Sequence, residues 1–400
     1  MSNLVYLQYL EDYNKKQLNE TISQGISRLG LEKIFKPNMK VLIKPCLSEA
    51  VNKDMAETTN PAVIRAVVDC LSKMGAECIV ADCPNKKFNL SHLNTVYIET
   101  GMLNMANSTK CELNKDLRID DVEIETGKMI KHVPMLSIVN EVDAIINVGK
   151  MKLDDSLGYL GSTSNVFGVV PGEVRTNILS RVRNLGDYGD LILDIYEKLQ
   201  NKIVLNVLDA VVTLEAKNTQ RMLNCLAMSD NSLALDAAMI GILNIKNENT
   251  ILKQAKNRDL FNADYSFKTI GEDIEKFKIQ DFSLVEFDSH TLIPFSQRYY
   301  NKHQQRPQIK SKQCKGCSIC SRVCPANAIL MKYDKKNELY AEIDYKKCIL
   351  CNKCVLACPY SVVKLKTPQA YKHLVKKINK PQLLANTKAK EEIKLIEESK

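Results

Sequence analysis

Eight of the fourteen cysteines lie between 314 and 358, in two runs of one pattern: CKGCSICSRVCP over 314–325 and CILCNKCVLACP over 348–359. The runs are an internal repeat, because Cys314 to Cys348 and Cys324 to Cys358 are each offset by 34 positions. Three evenly spaced cysteines on a tight loop can converge on three corners of one iron–sulfide cube. The fourth sits too far along to reach the same cube and ligates a second one. The spacing therefore predicts two [4Fe–4S] clusters. One falls to Cys314, Cys317, Cys320 and Cys358, the other to Cys324, Cys348, Cys351 and Cys354. Pro325 and Pro359 turn the chain after each fourth ligand, and Gly316, Ser318 and Ala357 keep bulk away from the clusters. Structural zinc takes four ligands in two pairs, which would leave one cysteine of every triplet redundant.

The other six cysteines (Cys46, Cys70, Cys78, Cys83, Cys111, Cys225) are scattered among apolar neighbours and read as small buried hydrophobes. Cys46 and Cys83 follow strand ends. Between the two runs, AILMKYDKKNELYAEID alternates as a hairpin with a DKKN turn.

The elements ahead of the cysteines alternate between strand and helix. Leu18, Ile22, Ile26 and Leu29 recur at helical spacing over 15–35. VLIK (41–44) reads as a buried strand, Asn60-Pro61 as a helix start running to Gly75, and ECIVADCP (77–84) as the next strand. The order repeats with a strand at 143–149, a helix at 187–199, strands at 202–212 and 223–229, and a helix at 232–243. This is the signature of an α/β domain over residues 1–300, with a mostly parallel sheet covered by helices. Its strands end in polar residues, Lys44, Asp82, Lys150 and Asp209, and open α/β sheets hold ligands outside those ends. With Lys152 and Asn165, these are the candidate catalytic residues. A small α+β module over 301–367 carries the cysteine runs, 288–313 reads as a linker, and 368–400 as a Lys-rich helical tail.

Charge is uneven. Residues 301–400 hold 22 Lys+Arg against 8 Asp+Glu, a balance of +14 within a total of +9, so residues 1–300 stand at −5. Basic residues near the cysteines lower the cost of an anionic cluster and would steer a partner with an acidic surface. Nucleic acid is not expected as a partner, since no aromatic–basic interleaving accompanies the lysines. No apolar run approaches the ~18 residues of a membrane span. The N-terminus lacks the basic and apolar regions of a signal peptide, so a cytoplasmic protein is expected. Neither GxGxxG nor GxxxxGK[ST] occurs.

From about 308 to 366 the chain resembles the bacterial dicluster ferredoxins, departing at Asn352, where glycine is usual. The first 300 residues resemble the iron–sulfur-associated domain-of-unknown-function family 362. The matching stretches are VLIKP (41–45), TTNPAVIRAVVDCLSKMGAECIVADCP (58–84), IINVGKMK (145–152), NVFGVVPG (165–172), VLDAVV (207–212) and LALDAA (233–238). The departures are Asp154 for a usual histidine, Ser164 for a usual lysine, and TLEAKNTQ (213–220) for a glycine-rich stretch. The resemblance implies a redox-linked oxidoreductase or electron carrier. Two functions follow as expectations: a ferredoxin-type protein passing electrons through two [4Fe–4S] clusters to a partner protein or to the α/β domain, or a self-contained oxidoreductase whose α/β domain binds and reduces a small substrate. The second requires a pocket where Lys44, Lys150 and Asn165 converge.

Overall fold

Along the strand Leu4–Tyr9 (β1), Val5 and Leu7 turn to one face of a sheet and Tyr6 to the other. In Lys40–Lys44 (β2), Leu42 joins the first face and Val41 and Ile43 the second. Strands apolar on both sides belong inside a sheet covered on both faces. The computed structural model describes residues 3–279, apart from 86–87, 155–157, 180–181, 183, 216–218, 246–248 and 263, and residues 306–366, apart from 325–326, 346 and 349–352. These form two compact units, one within Met1–Pro294 and one within Phe295–Lys400. The expected tail helix lies outside the described residues.

The first unit continues with Glu77–Val80 (β3), Cys111–Leu113 (β4), the hairpin Ile119–Glu123 (β5) and His132–Leu136 (β6), then Ala144–Asp154 (β7), Gly158–Leu160 (β8), Ile203–Leu214 (β9), Gln220–Ser229 (β10) and Lys268–Gly271 (β11). Nine of these form one sheet in the order β11-β1-β10-β9-β7-β2-β3-β4, with β8 on β7. Pairing is parallel from β9 through β7, β2 and β3 to β4, and between β1 and β11. It is antiparallel where β10 meets β1 and β9, and where β8 meets β7. Helices Lys15–Arg28 (α1), Pro61–Lys73 (α2), Leu90–Glu99 (α3) and Met102–Asn107 (α4) cover one face. Gly172–Leu179 (α5), Leu185–Leu199 (α6), Ser232–Ile242 (α7) and Thr250–Lys256 (α8) cover the other. The expected mostly parallel α/β sheet is present.

Three differences from the sequence reading have local causes. Helix α1 stops at Arg28 instead of running to 35, because Gly30 takes φ +71° and the Leu31 N–H closes back on the Ile26 carbonyl. Strands β7 and β9 run on past Lys150 and Asp209, so these two lie inside strands, at a bulge where the pairing shifts between Lys150 and Lys152. Arg306–Ile309 (β12), within the expected linker, pairs antiparallel with Val363–Lys366 (β15). Pro307 is tolerated there because an edge strand does not need its missing N–H.

Between those strands Ile329–Tyr333 (β13) and Leu339–Ile343 (β14) form the expected hairpin. Asp334 Oδ1 accepts from the N–H groups of Lys336 and Glu338, and Asn337 takes φ +61° to complete the turn. The core of this second unit is small: Cys320, Ile329, Ala341, Ile343, Cys354, Val362 and Val363, with Cys314, Cys324, Cys348 and Cys358 packed against it.

Candidate functional site

Cys314, Cys317, Cys320 and Cys358 line one cavity, walled by Ile309, Ala341, Pro359, Val362 and Val363. The loop reaches this shape through positive φ at Gly316 (+63°) and Ser318 (+60°). A side chain at 316 would place its Cβ 2.6 Å from the Leu339 carbonyl. Burial pushes the Cys320 thiol up, and the charges of Cys314, Cys317 and Cys358 add to that, a repulsion that cluster iron would neutralise. At Cys358 burial also acts upward, but the backbone N–H groups of Val363, Val362, Tyr360 and Ser361 outweigh it and hold the thiol below its usual range. Donors aimed at sulfur are what an Fe–S thiolate uses. Among the described residues no three His, Cys, Asp or Glu side chains close around a single point as one metal ion requires.

Of the second expected set, Cys324, Cys348 and Cys354 pack on the same small core, while Cys351 lies outside the described residues. Cys324 Sγ accepts from the Ala328 N–H at 3.3 Å. Burial raises the Tyr345 phenol, Arg306 opposes this, and Cys348 and Cys354 both stand near enough to add to the rise.

In the α/β unit the six candidate residues gather at one end of the sheet. Lys44 closes β2, with Nζ 2.9 Å from Asp82 Oδ1 and both side chains buried. Asp82 follows β3, and its Oδ2 accepts from the Leu47 N–H at 2.6 Å. Lys150 stands directly opposite Asp209, Nζ to Oδ2 at 3.0 Å. Asp209 also accepts from the Asn60 N–H at the start of α2 and from the Tyr13 hydroxyl, each at 3.0 Å. Tyr13 in turn accepts from Lys150 at 3.1 Å. Burial lowers the Lys150 ammonium pKa, against the attraction of Asp209. The Tyr13 phenol is pushed up by burial, then by the Asp209 charge.

Asn165 is tied into a buried amide chain. Its Nδ2 donates to Asn147 Oδ1 at 2.8 Å, and Asn147 donates to Asn206 Oδ1 at 3.0 Å across β7 and β9. The turn carrying it is held by Asp236 on α7, whose carboxylate accepts from the Ser162 and Thr163 N–H groups and from the Tyr159 hydroxyl. Burial raises the Asp236 pKa, and those donors oppose the rise. Ser164, at a family departure, spends its Oγ on the Gly161 backbone, and the Asp154 side chain lies outside the described residues.

These groups border a cleft of about 460 Å³, in the range of small-molecule sites. Asp82, Lys150, Lys152 and Asn165 line it, together with Cys46, Ser48 and Arg175. Lys44 and Asp209 hold Asp82 and Lys150 in place from behind. Sequence reading missed Tyr13, Arg175, Asp236 and Tyr159. Tyr13, Tyr159 and Arg175 lie between the elements that periodicity marks and Asp236 lies inside one, and partnership with a residue as far as 196 positions away leaves no local trace.

An open α/β sheet with a polar cleft, joined to a cysteine-lined module, defines an iron–sulfur-associated α/β protein. Residues 41–241 match the family model for the domain of unknown function DUF362, and residues 313–362 match that of the 4Fe-4S dicluster domain. The chain belongs to the DUF362 family and carries the dicluster domain after it. It is 23% identical over 227 residues to a thylakoid-associated protein of Synechocystis, the match covering 54% of this chain and 66% of that one. Among solved structures, the lactate racemase apoprotein from Thermoanaerobacterium thermosaccharolyticum matches with TM-score 0.35 and 12% identity, over 57% of this chain and 54% of that chain. Among the described residues no helix is long and apolar enough to cross a membrane.

Proposed function

We propose that this chain is a ferredoxin-type electron-transfer protein, with one [4Fe–4S] cluster on Cys314, Cys317, Cys320 and Cys358 and a second on Cys324, Cys348, Cys351 and Cys354. The observation that carries this reading is the cavity lined by the first four thiols. Clusters of this type exchange electrons one at a time. The residues of the chain exclude water with Val362, Val363 and Ile309, donate N–H groups to sulfur, and hold the thiols in a fixed frame. The excess of Lys+Arg over 301–400 steers a redox partner with an acidic surface, in a compartment that keeps thiols reduced, such as the cytoplasm.

A specific observation favours the second reading, a self-contained oxidoreductase. Asp82, Lys150, Lys152 and Asn165 meet at one cleft. In this reading the α/β domain binds a small polar substrate, and Lys150, hydrogen-bonded to Asp209 and Tyr13, exchanges a proton with it. A redox titration of the anaerobically purified protein, followed by EPR, tests the electron-transfer reading. Two one-electron steps are expected; a protein silent throughout reduction contradicts it.

A further inference from the structure

The cations at the cleft fall into two kinds. Lys44 and Lys150 are each paired with a buried carboxylate. Lys152 and Arg175 line the same cleft with no carboxylate partner among the described residues. Among the described residues Lys152 Nζ reaches uncharged oxygens, Ser48 Oγ at 3.3 Å and the Glu57 carbonyl at 3.1 Å. Arg175 donates one N–H to the Cys83 carbonyl and lies against the Phe167 ring, 5.8 Å from its centroid. Its Nε is buried and has no acceptor among the described residues.

A buried donor left without an acceptor costs free energy, and charge makes the cost larger. Both side chains are half-buried, so neither is fully compensated by water. A guanidinium fork and an ammonium on one cleft form the donor set that recognises a carboxylate or a phosphate. We propose that Lys152 and Arg175 form an anion subsite, holding the single carboxylate or phosphate group of the small molecule that the cleft binds. This deepens the reading of the α/β domain as substrate-binding and rests on it. Glu57 lines the same cleft and sets a limit. A compact anion that reaches both would satisfy the two cations, whereas a polyanion would also meet the Glu57 carboxylate.

The test is calorimetric titration of the full-length, anaerobically purified protein with inorganic phosphate, acetate and tripolyphosphate, in buffer free of other oxyanions. Saturable one-to-one binding of phosphate or acetate is expected, the tighter of the two naming the anion class. Arg175→Gln and Lys152→Gln should each weaken it by at least about tenfold. Lys16→Gln, on the exposed side of α1, should leave it unchanged. If Arg175→Gln does not fold, Arg175→Lys keeps the charge without the fork and should still weaken binding.

No saturable binding of either small anion, or equal binding by the variants, overturns the subsite. So does tripolyphosphate binding more tightly than both without regard to the substitutions, which marks general attraction to a basic surface. Iron analysis of the same samples separates the two readings. Iron present with no anion binding removes the subsite and leaves the clusters standing, whereas anion binding without iron keeps the subsite and removes both redox readings.

Discussion

Lys150 and Asp209 face each other across neighbouring parallel strands, their charged atoms 3.0 Å apart and both side chains withdrawn from water. Two charges in that position repay their desolvation only as a pair. Lys150→Met leaves the Asp209 carboxylate buried with the Tyr13 hydroxyl, the Asn60 N–H and a longer bond from the Val211 N–H as its donors, and no cation. The expected loss is about 3–5 kcal/mol in urea unfolding of the α/β transition. Lys150→Met combined with Asp209→Asn should recover most of it. A single-variant loss below about 1 kcal/mol, the worth of an exposed pair, contradicts this role.

Gly168 seats the neighbouring pair. A Cβ there would stand 2.1 Å from Asp82 Oδ1 and 2.5 Å from Lys44 Nζ. Gly168→Ala must push the two side chains aside, and overpacking of this kind costs about 1–3 kcal/mol. Chemical denaturation reads the cost directly. A variant as stable as the parent shows that the pair can shift freely.

The alternation of strand and helix was legible because each element buries one recognisable face: Val63, Ile64 and Val67 on α2, Val41 and Ile43 on β2. Boundaries were less so. Nothing in Leu4–Tyr9 separates a strand from a short helix, since its apolar residues run almost unbroken. The bulge that places Lys150 and Asp209 inside strands depends on pairing between residues 59 positions apart. The cluster cysteines were legible because their ligand geometry is written in local spacing. The cleft was half legible: polar residues at strand ends marked Lys44 and Asp82, but Arg175 reaches it from a helix whose sequence shows no ligand pattern.

The scattered cysteines make the α/β unit sensitive to alkali. Burial pushes the Cys78 thiol up to about 12, and moves Cys83 and Cys225 further in the same direction. In the unfolded chain these thiols titrate near 9.0. Between those values the folded state holds a proton that the unfolded state has lost. Their contribution to stability is thus fully present below pH 9 and falls above it, by about 1.4 kcal/mol per pH unit per thiol. Iodoacetamide at pH 9 should leave Cys78, Cys83 and Cys225 unmodified in the native protein and label them in urea. Native labelling of Cys225 would show the unit to be open.

The second unit has few apolar core residues besides its cysteines, so cluster and fold should be lost together. Removal of iron by an anaerobic chelator is expected to collapse the amide dispersion of residues 306–366 in NMR while that of the α/β unit persists. Retention of a dispersed spectrum by the iron-free module contradicts this dependence.

The central claim is that the two cysteine runs hold two four-iron clusters, and metal and sulfide analysis of anaerobically purified protein, with EPR after dithionite reduction, tests it most directly. About eight irons and eight sulfides per chain with interacting reduced-cluster signals are expected, falling to about four irons in Cys317→Ala. Stoichiometric zinc without sulfide would contradict it.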